Sequence, residues 1–200
     1  MADLGKIGIL GSGSWATAIA KMVLMDGKQQ INWFVRNPAD IRQFKQTGHN
    51  PKYLSIVELD TSRIRFFSNI NQIVMQSDTL IIAIPSPYLK LQLKRMRQDI
   101  SQKFILIATK GIVPDENMLI SDYLHEFYQV PYNNIATISG PCHAEEVAYE
   151  HMSFLTFACQ AEEKAKTLAN CFECRFVHTT IIPDLFGVEF GSTLKNVYAI

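Results

Sequence analysis

Apolar and polar positions follow two rhythms along this 200-residue chain. Short runs of β-branched and other apolar residues recur at 6–10, 31–35, 64–67, 79–84, 104–109 and 135–139. Runs of this length, apolar on both faces, mark strands buried inside a parallel sheet. Between them lie stretches at 16–25, 41–44, 89–96 and 118–127 in which apolar residues return every three or four positions. That spacing lays one apolar stripe along a helix. The alternation predicts an α/β domain, a doubly wound parallel sheet with crossover helices on both faces. Two more strands, at 153–159 and 175–179, flank a helix at 161–170 and extend the same pattern. Residues 48–60 carry no clear period and include Pro51, so a long loop is expected there.

The first strand runs into Gly11-Ser12-Gly13-Ser14-Trp15-Ala16 and then into a helix. A GxGxxA at a strand-to-helix turn is the dinucleotide fingerprint of a Rossmann-type sheet. Gly11 permits the tight turn, Gly13 lets the backbone approach a pyrophosphate, and Ala16 lets helix and strand pack closely. The helix end alone supplies only about 0.3–2 kcal/mol toward an anion, while micromolar binding needs about 8, so other contacts must contribute. After the second strand stands Arg36, where NAD-selective folds commonly place an acid. A guanidinium there suits a 2′-phosphate, and the same residue reads equally as a solvated turn position, so both NAD and NADP stay open.

Three further polar loops follow strands: Ile84-Pro85-Ser86-Pro87, Ala108-Thr109-Lys110-Gly111 and Ser139-Gly140-Pro141-Cys142-His143-Ala144. Carboxyl ends of parallel strands are where such folds build ligand sites. On pattern alone Lys110 is a surface lysine beside a turn glycine, and Glu145 and Glu146 mark an ordinary helix start. Cys142 and His143 are adjacent, and sequence neighbours point in different directions, which argues against a nucleophile and its base. Farther on, a break at Gly191 is expected to separate two helical stretches, with Lys195 and Asn196 near the start of the second. Leu194, Val197, Tyr198 and Ile200 form an apolar stripe that stops without a cap, so a further domain is expected to follow. The expected division is a dinucleotide-binding domain over 1–190 and the beginning of a helical substrate domain over 191–200.

Charge and composition narrow the partners. Lys+Arg and Asp+Glu number 19 each, so no global positive field draws nucleic acid or anionic lipid. Apolar runs such as 80–84 fall far short of the ~20 residues that span a bilayer. The N-terminus lacks the basic and apolar pattern of a secretory signal, which points to the cytoplasm. Four cysteines are too sparse for a disulfide scaffold, and the one CxxC, Cys171 and Cys174, has no second pair to complete a zinc site; no metal is expected.

Taken in order, GSGSWATAIA, the NPKYL loop at 50–54, ATKG at 108–111, ISGP at 138–141 and GVEFGSTLKNVYAI at 187–200 resemble the NAD(P)-dependent glycerol-3-phosphate dehydrogenases along the whole chain. The resemblance implies an oxidoreductase that interconverts dihydroxyacetone phosphate and sn-glycerol 3-phosphate for phospholipid synthesis. It implies cofactor contacts from Ser14, Trp15, Arg36, Lys110 and Ala144, beside the turn glycines Gly11 and Gly13. It implies substrate contacts from Lys110, Gly140, Cys142 and Lys195, with Lys195 as general acid and base. A lysine ordinarily titrates near 10.4, and a second cation such as Lys110 beside it, with partial burial, favours the neutral amine. The chain departs from the family pattern at Cys142 and His143, where a small hydroxyl residue and Phe are usual, and at Ser55, where proline is usual. The family's helical C-terminal domain is missing from these residues, so they are expected to bind cofactor without turnover; a homodimer is allowed for. Two other readings stay open. One is a dinucleotide-binding module. The other is a β-hydroxyacid dehydrogenase-like enzyme, against which the adjacent Lys195-Asn196 and the ATKG loop both argue.

Overall fold

The computed structural model describes residues 3–25, 27 and 29–198, with no side-chain description at 196–198. Eight strands form one sheet: β1 (Ile7–Leu10), β2 (Ile31–Phe34), β3 (Ile64–Phe67), β4 (Thr79–Ile82), β5 (Phe104–Ile107), β6 (Ile135–Ser139), β7 (Ser153–Cys159) and β8 (Val177–Ile182). Their spatial order is β3-β2-β1-β4-β5-β6-β7-β8, and every pair from β3 to β6 is parallel. The first six strands thus have the doubly wound Rossmann order. The direction of winding reverses between β1 and β4, which opens a crevice at their carboxyl ends.

Among the described residues eight α-helices accompany the strands: α1 (Ser14–Leu24), α2 (Pro38–Thr47), α3 (Ile70–Met75), α4 (Ser86–Leu93), α5 (Ile120–Tyr128), α6 (Ala144–Ala148), α7 (Glu162–Asn170) and α8 (Leu185–Tyr198). Successive strand residues point to opposite faces, so Ile7 and Ile9 pack with Trp33 and Phe44 on one side. Leu10 and Phe34 pack with Ile73, Leu89 and Leu124 on the other. Burial on both faces explains why these strands read as continuous apolar runs. Among the described residues no helix is long and apolar enough to cross a membrane.

Three expectations need correction. The late strands do not simply extend the parallel pattern, because β7 runs antiparallel to β6 while β8 is parallel to β7. The cause lies in the connection: α6 packs on α1, with Lys21 Nζ donating to Ala148 O at 2.9 Å, and the chain then re-enters beside the carboxyl end of β6, Thr156 opposite Ser139, and runs back. The last strand begins at Val177 and extends to Ile182, beyond the expected 175–179. Finally, Gly191 does not break a helix, for α8 is continuous from Leu185 to Tyr198. Lys195 therefore stands in the last turn of a 14-residue helix, and the expected 190/191 boundary falls inside that helix. Packing of Leu185, Glu189 and Ser192, all buried, holds the helix together despite the glycine's low propensity.

Candidate functional site

At the crevice the chain turns sharply from β1 into α1. Gly11 has φ +124°, and a Cβ there would sit 2.4 Å from Ala83 O. No side chain fits, because the end of β4 approaches too closely. Gly13 is different: its φ is −81°, and a Cβ would meet nothing within 4 Å. The space in front of it is open. Gly13 caps α1 with no side-chain hydrogen bond, and no acidic residue stands in the first turn. The orphan N–H groups of the first turn, with the positive end of the helix dipole behind them, suit an anionic group. Ala16 is fully buried, as the close packing of helix on strand requires.

Two side chains that sequence reading did not single out fix the turn. Buried Trp33 on β2 donates its indole N–H to Gly11 O at 2.7 Å. Asn50, 3 % exposed in the long 48–60 loop, donates through Nδ2 to Ser12 O at 3.1 Å and to Thr17 Oγ1 at 2.8 Å. Thr17 Oγ1 in turn donates to Gly13 O at 3.0 Å. The loop is therefore a strap over the outer side of the glycine turn. Its only sequence signal was its length and the NPKYL resemblance.

Two cavities meet at this turn. One, of about 580 Å³, is lined by Gly11, Ser12, Gly13, Ser14, Arg36 and Tyr53 among others. Arg36 is exposed and also borders a smaller hollow with Asn50 and Lys52, whose ammonium pairs with Asp40 at 2.7 Å. The other cavity, of about 470 Å³, runs along Ser14, Trp15, Pro85, Lys110, Cys142 and Ala144. The shared lining of Ser14, Ala83, Ile84 and Pro85 makes them one elongated cleft. Thr109, buried behind Lys110, donates to Ile82 O at 3.1 Å and Ile84 O at 2.7 Å and locks the ends of β4 and β5 together.

The far end of the cleft is cationic. The half-buried amine of Lys110 meets that of Lys195, which is exposed on α8. Burial first, then the Lys195 ammonium, pulls Lys110 below the usual lysine range, with Cys142 opposing weakly. Cys142 is 6 % exposed, and burial pushes its thiol up, so it is a neutral contact rather than a nucleophile. His143 caps α6, its N–H donating to Glu146 Oε2 at 2.8 Å, which turns its backbone to a structural task. Gly140 lies behind the cleft wall, where a Cβ would sit 2.2 Å from Phe154 O, so close approach of β7 explains that glycine. The turn glycines, Ser14, Trp15, Arg36, Lys110, Cys142 and Ala144 thus line the cleft, Lys195 joins it through Lys110, and Gly140 does not line it. Asn196 has no described side chain.

Similar proteins share this fold. Residues 6–165 match the family model of the NAD-dependent glycerol-3-phosphate dehydrogenase N-terminus. A glycerol-3-phosphate dehydrogenase [NAD(P)+] from Ectopseudomonas mendocina is 33 % identical over 200 residues, covering 100 % of this chain and 58 % of the relative. Its counterpart from Bacillus subtilis is 32 % identical over 198 residues, covering 98 % of the chain and 56 % of the relative. The Plasmodium falciparum glycerol-3-phosphate dehydrogenase structure superposes with a TM-score of 0.85 at 26 % identity, covering 96 % of this chain and 56 % of that one. The chain spans a little over half the length of these relatives, and it belongs to the NAD-dependent glycerol-3-phosphate dehydrogenase family.

Proposed function

We propose that this chain holds NADH or NADPH along the cleft and that, as part of a chain of its relatives' length, it reduces dihydroxyacetone phosphate to sn-glycerol 3-phosphate. The observation that carries the reading is the pairing of an uncapped α1 N-terminus with two lysines meeting at the other end of one cleft. The open space before Gly13 fits a pyrophosphate, which the first-turn amides of α1 would receive. Ser14, Trp15 and Ala144 would flank the cofactor, and the Arg36 guanidinium would face its adenosine end. Bound nicotinamide cofactor supplies hydride chemistry. Lys195 gives a proton to the substrate carbonyl oxygen and takes it back in the reverse direction. Lys110, depressed by burial and by Lys195, shares the work of holding an anionic substrate, with Cys142 in the wall and Gly140 setting the backbone behind it. The dehydrogenase product is the backbone of phospholipid synthesis, and four cysteines with no disulfide scaffold suit the cytoplasm.

The 200 residues alone bind the dinucleotide without turnover on this reading, because the relatives carry over two fifths of their length beyond the matched part. Fluorescence titration of the chain with NADH and NADPH, followed by a dihydroxyacetone phosphate assay on a chain of the relatives' length, tests both statements. Binding without oxidation here, and oxidation in the longer chain, is expected. Absence of binding to either dinucleotide overturns the reading.

A further inference from the structure

Helix α5 begins without a capping side chain of its own, since Leu119 occupies the N-cap. Its first-turn amides are instead met from across the fold. Glu189 of α8, 1 % exposed, accepts Ile120 N–H at 2.9 Å and Ser121 N–H at 3.2 Å through one carboxylate oxygen. A buried carboxylate is an expensive choice in the middle of the α8 stripe that otherwise seats Leu185 and Ser192. Its second oxygen, Oε2, and the neighbouring Ser121 hydroxyl are both buried without a hydrogen-bond partner of good geometry among the described residues. Burial drives the Glu189 carboxyl up, Ser121 and the α5 amides oppose this, and Asp122 adds to it.

What makes the contact informative is what lies on either side of it. Six residues after Glu189, about 9 Å along the helix axis, α8 carries Lys195. Ten residues before Ile120 the other segment begins at Lys110, and it is a stiff connector. Gly111, Asp115 and Asn117 are left-handed turns, Val113 bridges Met118, and Lys90 of α4 clamps Asp115 at 3.2 Å and Glu116 at 2.6 Å. We propose that Glu189 is a positioning residue: it braces the helix bearing Lys195 against the segment bearing Lys110 and so keeps the two amines together at the mouth of the cleft. Glu189 touches neither substrate nor cofactor in this arrangement. It acts through the two lysines, and the claim rests on the functional reading above only for the chemistry those lysines perform.

The test reads the lysine pair directly. Labelling of Lys110 by an amine-reactive anhydride is followed by peptide mass spectrometry against pH, in the wild-type chain and in E189Q, E189L and E189D, with melting curves to establish folding. The groups that face Lys110, namely Lys195 and Cys142, are unchanged in every variant. Gln keeps an acceptor for the α5 amides, so E189Q retains the wild-type labelling profile. Leu fills the volume without an acceptor and Asp withdraws the oxygen by one methylene. In both, Lys110 moves up toward the ordinary lysine value near 10.4, and its labelling at pH 8 falls severalfold. A folded E189L or E189D with the wild-type profile overturns the proposal, and E189D decides if E189L does not fold. An E189Q profile displaced as far as that of E189L also overturns it, since charge rather than bracing would then act on Lys110. The labelling needs no ligand, so failure of NADH to bind the wild-type chain would sink the functional reading and leave the brace to be judged by labelling alone.

Discussion

The two ends of the cleft are built by different means. At the glycine turn the working groups are backbone amides, and side chains only hold the backbone still: Trp33 on Gly11 O and Asn50 on Ser12 O. At the lysine end the groups are side chains from elements far apart in sequence, and a buried carboxylate on the helix that carries Lys195 accepts from the amides at the start of α5, on the segment that follows Lys110. A backbone-built site needs particular glycines in a row, whereas a side-chain-built site needs a correctly docked helix. The first kind is written locally and tolerates little change in place. The second depends on long-range packing and can be loosened from a distance.

That contrast breaks most sharply at Lys195. In a chain of the relatives' length, Lys195→Ala should lower kcat by about 10²–10⁴-fold, the usual worth of a positioned general acid, while NADH affinity measured by fluorescence stays within about twofold. Loss of both together would erase the division between the two ends. Next in size is Gly11→Ala. Strain at φ +124° costs about 1–3 kcal/mol, and the clash with Ala83 O adds a similar amount. At ~2–4 °C per kcal/mol the melting temperature should fall by roughly 10 °C, and a fall under ~2 °C would show that the β4 end gives way freely.

Asn50→Ala sharpens the comparison at smaller cost. It strips donors from Ser12 O and Thr17 Oγ1, worth about 2 kcal/mol in total, and should weaken NADH binding roughly tenfold while leaving the pH profile of Lys110 labelling unmoved. A shift of that profile would mean that the strap and the lysine end are coupled. The smallest effect belongs to Glu189→Gln. A carboxyl raised by burial gives stability that is present below its unfolded value and is lost as pH rises through the folded one. Melting curves should therefore show E189Q gaining a few degrees on the wild type as pH rises above the ordinary glutamate range, and a constant difference would indicate that Glu189 does not titrate there.

Much of the fold was legible because burial on both sheet faces writes itself as apolar runs, and the glycine turn because at Gly11 the conformation and the close approach of Ala83 exclude other residues. Helix α3 escaped notice: Ile70, Ile73 and Val74 make only one short stripe. The direction of β7 was hidden because it follows from where α6 docks, not from the strand's own residues. Gly191 misled for a physical reason. Glycine usually punctuates a helix, and here the buried Leu185, Glu189 and Ser192 carry the helix through it. On pattern Lys110 reads as an ordinary surface lysine, and only the family resemblance and the folded chain bring it together with Lys195. Asn50 and Glu189 lie within the NPKYL and GVEFGSTLKNVYAI segments, but nothing in either segment names their partners, which are set only in three dimensions.

Gly13 offers the most direct test of the central claim, that bare amides at the start of α1 receive a dinucleotide. Its backbone conformation is open to any residue, and a Cβ there meets nothing within 4 Å. Aspartate is also a good N-cap, worth about 1 kcal/mol to a helix. NADH fluorescence titration of Gly13→Asp, alongside its melting curve, should show a fold as stable as the wild type or slightly more so, with dinucleotide binding abolished. A Gly13→Asp chain that is equally stable and binds NADH as the wild type does would contradict the account.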